Sequence, residues 1–217
     1  NGIAVGMATN IPTFNLSEVI DACHAYLDNP DITMQELMEY IPGPDFPSGG
    51  EIMGYEKKRR AMLYGQVGIV LRGYTQFEEK GNRQSIVITS IPYQVNKSDM
   101  VKNIEQLARN KVVEGIVEIR DESNKLGIRV VIDLKKDANS EIVLNQLCRN
   151  TQLETSFSLN MLALVDGQPK VMNCLDIITE FIKFRKRVVT RRTSFLLNKA
   201  KARAHTLIGI LIAIDNI

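Results

Sequence analysis

The side chains of this 217-residue chain that could do bond-making chemistry are few and scattered. Cys23, Cys148 and Cys174 are odd in number, widely spaced and free of any Cys-x-x-Cys pair, which argues against a disulfide framework or a zinc site and fits a reducing cytoplasm. His24 and His205 are too few and too distant for a metal cluster and read as ordinary helix residues. Asp121-Glu122 could attract a cation, but in a polar turn such a pair reads first as solvated. No Gly-x-x-x-x-Gly-Lys-Ser/Thr phosphate loop, Gly-x-Ser-x-Gly elbow or His-Glu-x-x-His pair occurs. The more informative stretch is Gly2-Ile3-Ala4-Val5-Gly6-Met7-Ala8-Thr9-Asn10-Ile11-Pro12. Gly2, Ala4 and Gly6 alternate with Ile3, Val5 and Met7, so a single strand would carry bulk on one face and bare backbone on the other. Two readings follow. One is a buried strand whose small residues relieve crowding; the other is a surface that lets a partner approach closely while an apolar side chain projects as a wedge.

The elements that would position these residues follow from caps and periodicity. Asn15 or Ser17 can cap a helix to about Leu27, and Thr33 with Glu36 has capping-box spacing for a short helix to Tyr40. Residues 41–50 hold three prolines and three glycines, a rigid connector and the natural domain boundary. Residues 57–64 read as a helical turn and 67–71 as a strand. Strands at 85–91, 115–120, 128–134 and 153–164, with helices at 98–110 and 140–150, predict an α+β fold built on a ferredoxin-like β-α-β-β-α-β layer. From Cys174 onward Leu175, Ile178, Ile182, Val189, Leu196, Ala200, Ala204, Leu207, Leu211 and Ile214 recur at three, four or seven residues, the stripe of a coiled-coil helix roughly 65 Å long.

Charge is uneven although the net value is only +2. No Lys or Arg precedes Lys57, while Lys183, Arg185, Lys186, Arg187, Arg191, Arg192, Lys199, Lys201 and Arg203 gather late. The gradient has two readings, a nucleic-acid face or the solvated side of a long helix. No apolar run approaches the roughly 18 residues of a membrane span, so no membrane partner is expected.

The opening stretch resembles the segment that follows the DNA-cleaving tyrosine in the A subunits of bacterial type IIA topoisomerases, DNA gyrase and topoisomerase IV. The resemblance continues in family order through Ile41-Pro42-Gly43-Pro44-Asp45-Phe46-Pro47, Ile91-Pro92-Tyr93-Gln94-Val95-Asn96-Lys97, Arg120-Asp121-Glu122-Ser123 and Gly167-Gln168-Pro169-Lys170. It ends with Val188-Val189-Thr190-Arg191-Arg192-Thr193 and Lys199-Ala200-Lys201-Ala202-Arg203-Ala204-His205, which are closer to the gyrase type. Thr13-Phe14 stands where the family commonly has Pro-His, and residues 55–63 diverge.

The resemblance implies that residues 1–41 end a DNA-gate winged-helix region, 42–173 form a tower, and 174–217 are the ascending half of an antiparallel coiled coil. It implies double-stranded DNA, a second gyrase A polypeptide and the gyrase B subunit as partners. Mg²⁺ and ATP are then held by the B subunit, with no cofactor in this chain. None of Tyr26, Tyr40, Tyr55, Tyr64, Tyr74 or Tyr93 has the context of the family's nucleophile, which is expected upstream of Asn1. By resemblance Ile3 is the residue that inserts between base pairs, and Thr9 and Asn10 support the bent backbone. Lys97, Lys102 and Lys111 are candidate phosphate contacts on the tower. The same region of the topoisomerase IV A subunit, which serves decatenation, is the second reading, and a helical interaction scaffold without a DNA role is the competing class of function. The unpaired stripe further predicts self-association or fraying of the last helix.

Overall fold

Polar side chains cap most of the helices of this chain, and Gly6 and Gly167 stand in the turns of two of its hairpins. The computed structural model describes residues 2–80 and 83–216. In chain order it forms β1 (Gly2–Ala4), β2 (Met7–Thr9), α1 (Leu16–Asp28), α2 (Met34–Leu37), β3 (Glu51–Met53), α3 (Tyr55–Tyr64), β4 (Gly68–Arg72), β5 (Thr75–Lys80) and β6 (Arg83–Ile88). There follow α4 (Lys97–Arg109), β7 (Ile116–Asp121), β8 (Val130–Leu134), α5 (Ser140–Asn150), β9 (Glu154–Ser158), β10 (Leu162–Val165), β11 (Gln168–Val171) and α6 (Cys174–Asp215). The mixed α+β class, with antiparallel sheets and a long C-terminal helix, is the one expected.

Asn15 caps α1 by accepting from the Ser17 amide, and Thr33 with Glu36 closes the anticipated capping box on α2. Asn96 and Asn139 cap α4 and α5 in the same way. A second capping box, Asn173 with Asp176, starts α6. Each satisfies amide donors that the first helical turn leaves without intrahelical partners.

The strands differ from expectation in one informative respect. The four-stranded sheet has the order β5-β6-β8-β7, with all pairs antiparallel. The strand expected at 153–164 does not join it. That segment breaks at Asn160 into β9 and β10; β9 pairs with β4 in a separate β3-β4-β9 sheet, and β10 pairs with β11. The place beside β6 that the fourth strand of a ferredoxin-like layer would take is filled by β5, which no apolar alternation announces. Its residues Thr75, Gln76, Glu78 and Glu79 are polar, so this edge strand exists through backbone pairing to β6.

Two apolar cores result. Ile86, Ile88, Ile132, Leu134, Met100, Ile104, Val143 and Leu147 pack the four-stranded sheet against α4 and α5. Ala22, Leu37, Ile41, Met62, Ile69, Phe157, Met161, Ile178 and Ile182 form the other, so residues of all three expected segments meet there. In α6 only Cys174, Ile178 and Ile182 are buried, and every described residue beyond Val188 is exposed. On the opposite face of the four-stranded sheet, Arg129 grips Glu78 through two bonds of 2.8 and 2.7 Å and reaches Glu122 at 3.1 Å, lacing the two halves of the sheet together.

Candidate nucleic-acid interface

A two-residue turn reverses the chain at the start of the sequence. Gly2, Ile3 and Ala4 pair with Thr9, Ala8 and Met7, and Val5-Gly6 form the turn, with Gly6 at φ +75°. A positive φ at the second central position is what a type II turn demands and what glycine supplies without strain. The single alternating strand is therefore corrected to a hairpin. Because paired residues share a face, Ile3 lies with Ala8 and Met7 with Ala4, on opposite faces. The buried-strand reading fails as well: residues 2–8 are all exposed, Ile3 at 94% and Val5 at 103%. Two large apolar side chains thus stand in solvent at the end of a short hairpin.

The root of the hairpin is held by polar contacts. Asn10 and Asn160 exchange backbone hydrogen bonds at 2.8 and 3.0 Å. The Asn160 side-chain amide donates to the Ala8 carbonyl at 2.6 Å, and that of Asn10 to the Ser158 carbonyl at 2.6 Å. Thr9 Oγ1 donates to the Leu162 carbonyl at 2.8 Å. The two amide oxygens, Asn10 Oδ1 and Asn160 Oδ1, are enclosed without a partner, each at a cost of about 1–3 kcal/mol. Thr9 pairs with Gly2, the residue before Ile3, and Asn10 lies beyond the hairpin on Asn160, with hydroxyl and amide nitrogen already spent on protein backbone. Asn160 escaped the sequence reading; its signal was one polar residue between Leu159 and Met161 in an otherwise apolar run.

Next to this hairpin stands a second, β10–β11, whose Asp166-Gly167 turn has φ of +49° and +83°. Positive φ at both central residues is the type I′ geometry that Asp-Gly favours. Between the hairpins runs an apolar groove of about 270 Å³ lined by Ile3, Met7, Leu162, Leu164 and Pro169 among others.

Lys97, Lys102 and Lys111 lie elsewhere, on or just after α4 against the four-stranded sheet. Lys102 and Lys111 are exposed. The Lys97 ammonium instead meets Asp121 at 2.6 Å, tying the first turn of α4 to the end of β7. Lys97 first, and then Ser123, hold the Asp121 carboxyl down at about 2, below its ordinary 3.8. A depressed carboxyl contributes stability above its ordinary value and loses that contribution as pH falls through the folded value. The tie is therefore expected to release between about pH 4 and pH 2. Carbon-detected NMR should show an Asp121 midpoint near 2 that rises toward 3.8 in Lys97→Ala; a midpoint indifferent to Lys97 contradicts this.

The run of cations on α3 was passed over in sequence, whereas those of α6 were read there as a nucleic-acid face or a solvated helix side. Lys57-Lys58-Arg59-Arg60 is a run of four on α3, with Lys57 and Arg60 exposed and Lys58 lying 5.3 Å from the Tyr55 ring centroid. On α6, Lys183 pairs with Glu180 at 2.8 Å and Arg187 with Asp166 at 3.8 Å, while Arg185, Lys186, Arg191 and Arg192 are exposed. The tyrosines occupy structural or solvent positions: Tyr93 packs with Phe46 and Phe157, and Tyr55 and Tyr64 are exposed. Among the described residues no group of three or more His, Cys, Asp and Glu could hold a metal ion, and no helix is long and apolar enough to cross a membrane.

A family model described as the A subunit of DNA gyrase/topoisomerase IV matches residues 1–217. The chain is 54% identical over 217 residues to the DNA gyrase A subunit of Rickettsia conorii, covering all of this chain and 24% of that protein. The same protein of Granulibacter bethesdensis is 55% identical over 218 residues, with 23% of it covered, and that of Halalkalibacterium halodurans is 50% identical, with 26% covered. This chain thus spans about a quarter of the length of these relatives.

Proposed function

Since the chain belongs to the family of DNA gyrase and topoisomerase IV A subunits, we propose that it is the stretch of gyrase A that bends duplex DNA at the cleavage gate. The observation that carries this reading is Ile3, fully presented to solvent on a hairpin fixed at its root. A branched apolar side chain that enters a base step costs a few kcal/mol of unstacking, which is recovered when the bent duplex wraps more protein. Val5 beside it adds apolar surface at the same tip.

The four-stranded sheet with α4 and α5 corresponds to the tower, whose exposed Lys102 and Lys111 meet the outer arms of the duplex through phosphates. Such contacts are sequence-independent and weaken steeply with salt. The exposed length of α6 is one limb of an antiparallel coiled coil. The whole enzyme joins two A subunits and two B subunits in breaking both strands, passing a duplex and introducing negative supercoils. By the family resemblance we assign Mg²⁺ and ATP to the B subunit. None of the six tyrosines is assigned as the nucleophile, so these 217 residues alone are expected to form no covalent DNA adduct.

The test is Ile3→Ala in full-length gyrase A, assembled with its B partner. Energy transfer between dyes on the duplex arms should fall by about tenfold in the bending equilibrium, while affinity and its salt dependence stay near wild type. Unchanged bending removes the wedge.

A further inference from the structure

We propose that the Asn10–Asn160 clasp sets the angle at which the β1–β2 hairpin presents Ile3, with Asn160 as the positioning residue. This rests on Ile3 being the wedge. A hairpin of three residues per strand has little stability of its own, and none of residues 2–8 is buried, so packing cannot fix its direction. What remains is the root. Asn160 Nδ2 donates to the Ala8 carbonyl at 2.6 Å, and Ala8 is the cross-strand partner of Ile3. The same residue exchanges both backbone bonds with Asn10. It sits in the break between β9, which belongs to the β3-β4-β9 sheet, and β10. Asn10 returns the contact by donating to Ser158, the last residue of β9. Asn160, with Asn10 on Ser158 and Thr9 on Leu162, therefore joins the wedge-bearing hairpin to two sheets. Both amides direct their donors at the facing backbone while their oxygens stay unpartnered, so the donors are what this arrangement uses.

Asn160 lies between the core residues Leu159 and Met161, but its own side chain and that of Asn10 are only half-buried, so loss of the donor frees the hairpin and leaves the fold standing. A wedge delivered in the right orientation for only a tenth of the time weakens the bending equilibrium by about tenfold.

Asn160→Asp keeps the size of the side chain and replaces the donor with a carboxylate that repels the Ala8 carbonyl; Asn160→Ala removes the donor without adding charge. Both are made in full-length gyrase A, assembled with its B partner, with and without Ile3→Ala. Arm-to-arm energy transfer, DNA affinity at low and high salt, and thermal midpoint are measured. The expected result is a bending equilibrium lower by about tenfold in either Asn160 variant, with affinity within about twofold and a midpoint within about 2 °C of wild type. In the Ile3→Ala background neither variant should lower bending further, since residues acting through one another are non-additive.

Normal bending by both Asn160 variants, with reduced bending by Ile3→Ala, overturns the positioning role and leaves the wedge intact. A loss that adds fully to that of Ile3→Ala, or that follows a matching fall in thermal midpoint, also overturns it. Normal bending by Ile3→Ala overturns the wedge and the clasp together.

Discussion

A polypeptide of these 217 residues is expected to sediment as a dimer or larger species, joined through α6. Beyond Val188 every described residue of the helix is exposed, yet the helix carries Val189, Leu196, Leu207, Leu211 and Ile214 on its stripe, each about half or more exposed. Ile208, Ile210 and Ile212 add apolar surface on the other faces of the last turns. Each side chain of this kind contributes about 1.5–3 kcal/mol when fully buried. A handful of paired residues therefore matches an association cost on the order of 4–15 kcal/mol. A continuous exposed apolar surface of this size is an interaction surface whatever covers it. Analytical ultracentrifugation should show concentration-dependent association, and Leu207→Lys with Leu211→Lys should return the chain toward monomer. A strict monomer whose α6 is helical throughout contradicts the expectation.

Gly65→Ala should be among the most destabilising single changes in this molecule. Gly65 ends α3 in the left-handed region at φ +67° and closes it with a 2.9 Å bond from its amide to Ala61. A methyl group there would stand 2.1 Å from the Met172 carbonyl oxygen, a backbone atom with nowhere to go. The neighbouring strand is tied in too, since the Met161 amide donates to Gly65 at 2.8 Å and the Met172 amide to Met161 at 3.0 Å. Left-handed backbone and backbone overlap together should cost about 3 kcal/mol or more. For a chain of this size the thermal midpoint then falls by roughly 6–12 °C. Gly68→Ala is the control, because no atom lies within 4 Å of its added methyl. Equal midpoints for the two variants would mean that the close approach at Gly65 carries no weight.

What sequence made legible was whatever chemistry fixes locally. Asn15, Thr33 with Glu36, and the Ser140 to Asn150 helix were readable because a cap and a periodic apolar face lie within a few residues of one another. The extent of α6 was readable for the same reason. Strand partners were not. Alternation in residues 2–7 is identical for one strand and for two strands joined at Gly6, and only the glycine hints at the turn. Alternation likewise cannot say that β9 pairs with β4, since both candidate sheets offer apolar neighbours. β5 has almost no apolar signature, so only the ladder to β6 defines it. At the site, Ile3 stood out in sequence by its place in the alternating stretch, but Asn160, which we propose aims it, is 157 positions away and meets the hairpin only in the fold.

The most direct test of the wedge places 2-aminopurine at single positions through a gate duplex and records its fluorescence on binding of the assembled enzyme. An opened base step brightens the probe. Enhancement confined to one step in each half of the bent duplex, present with wild type and absent with Ile3→Ala, is the predicted result. Equal brightening in both proteins, or none in either, would contradict insertion of Ile3 into DNA.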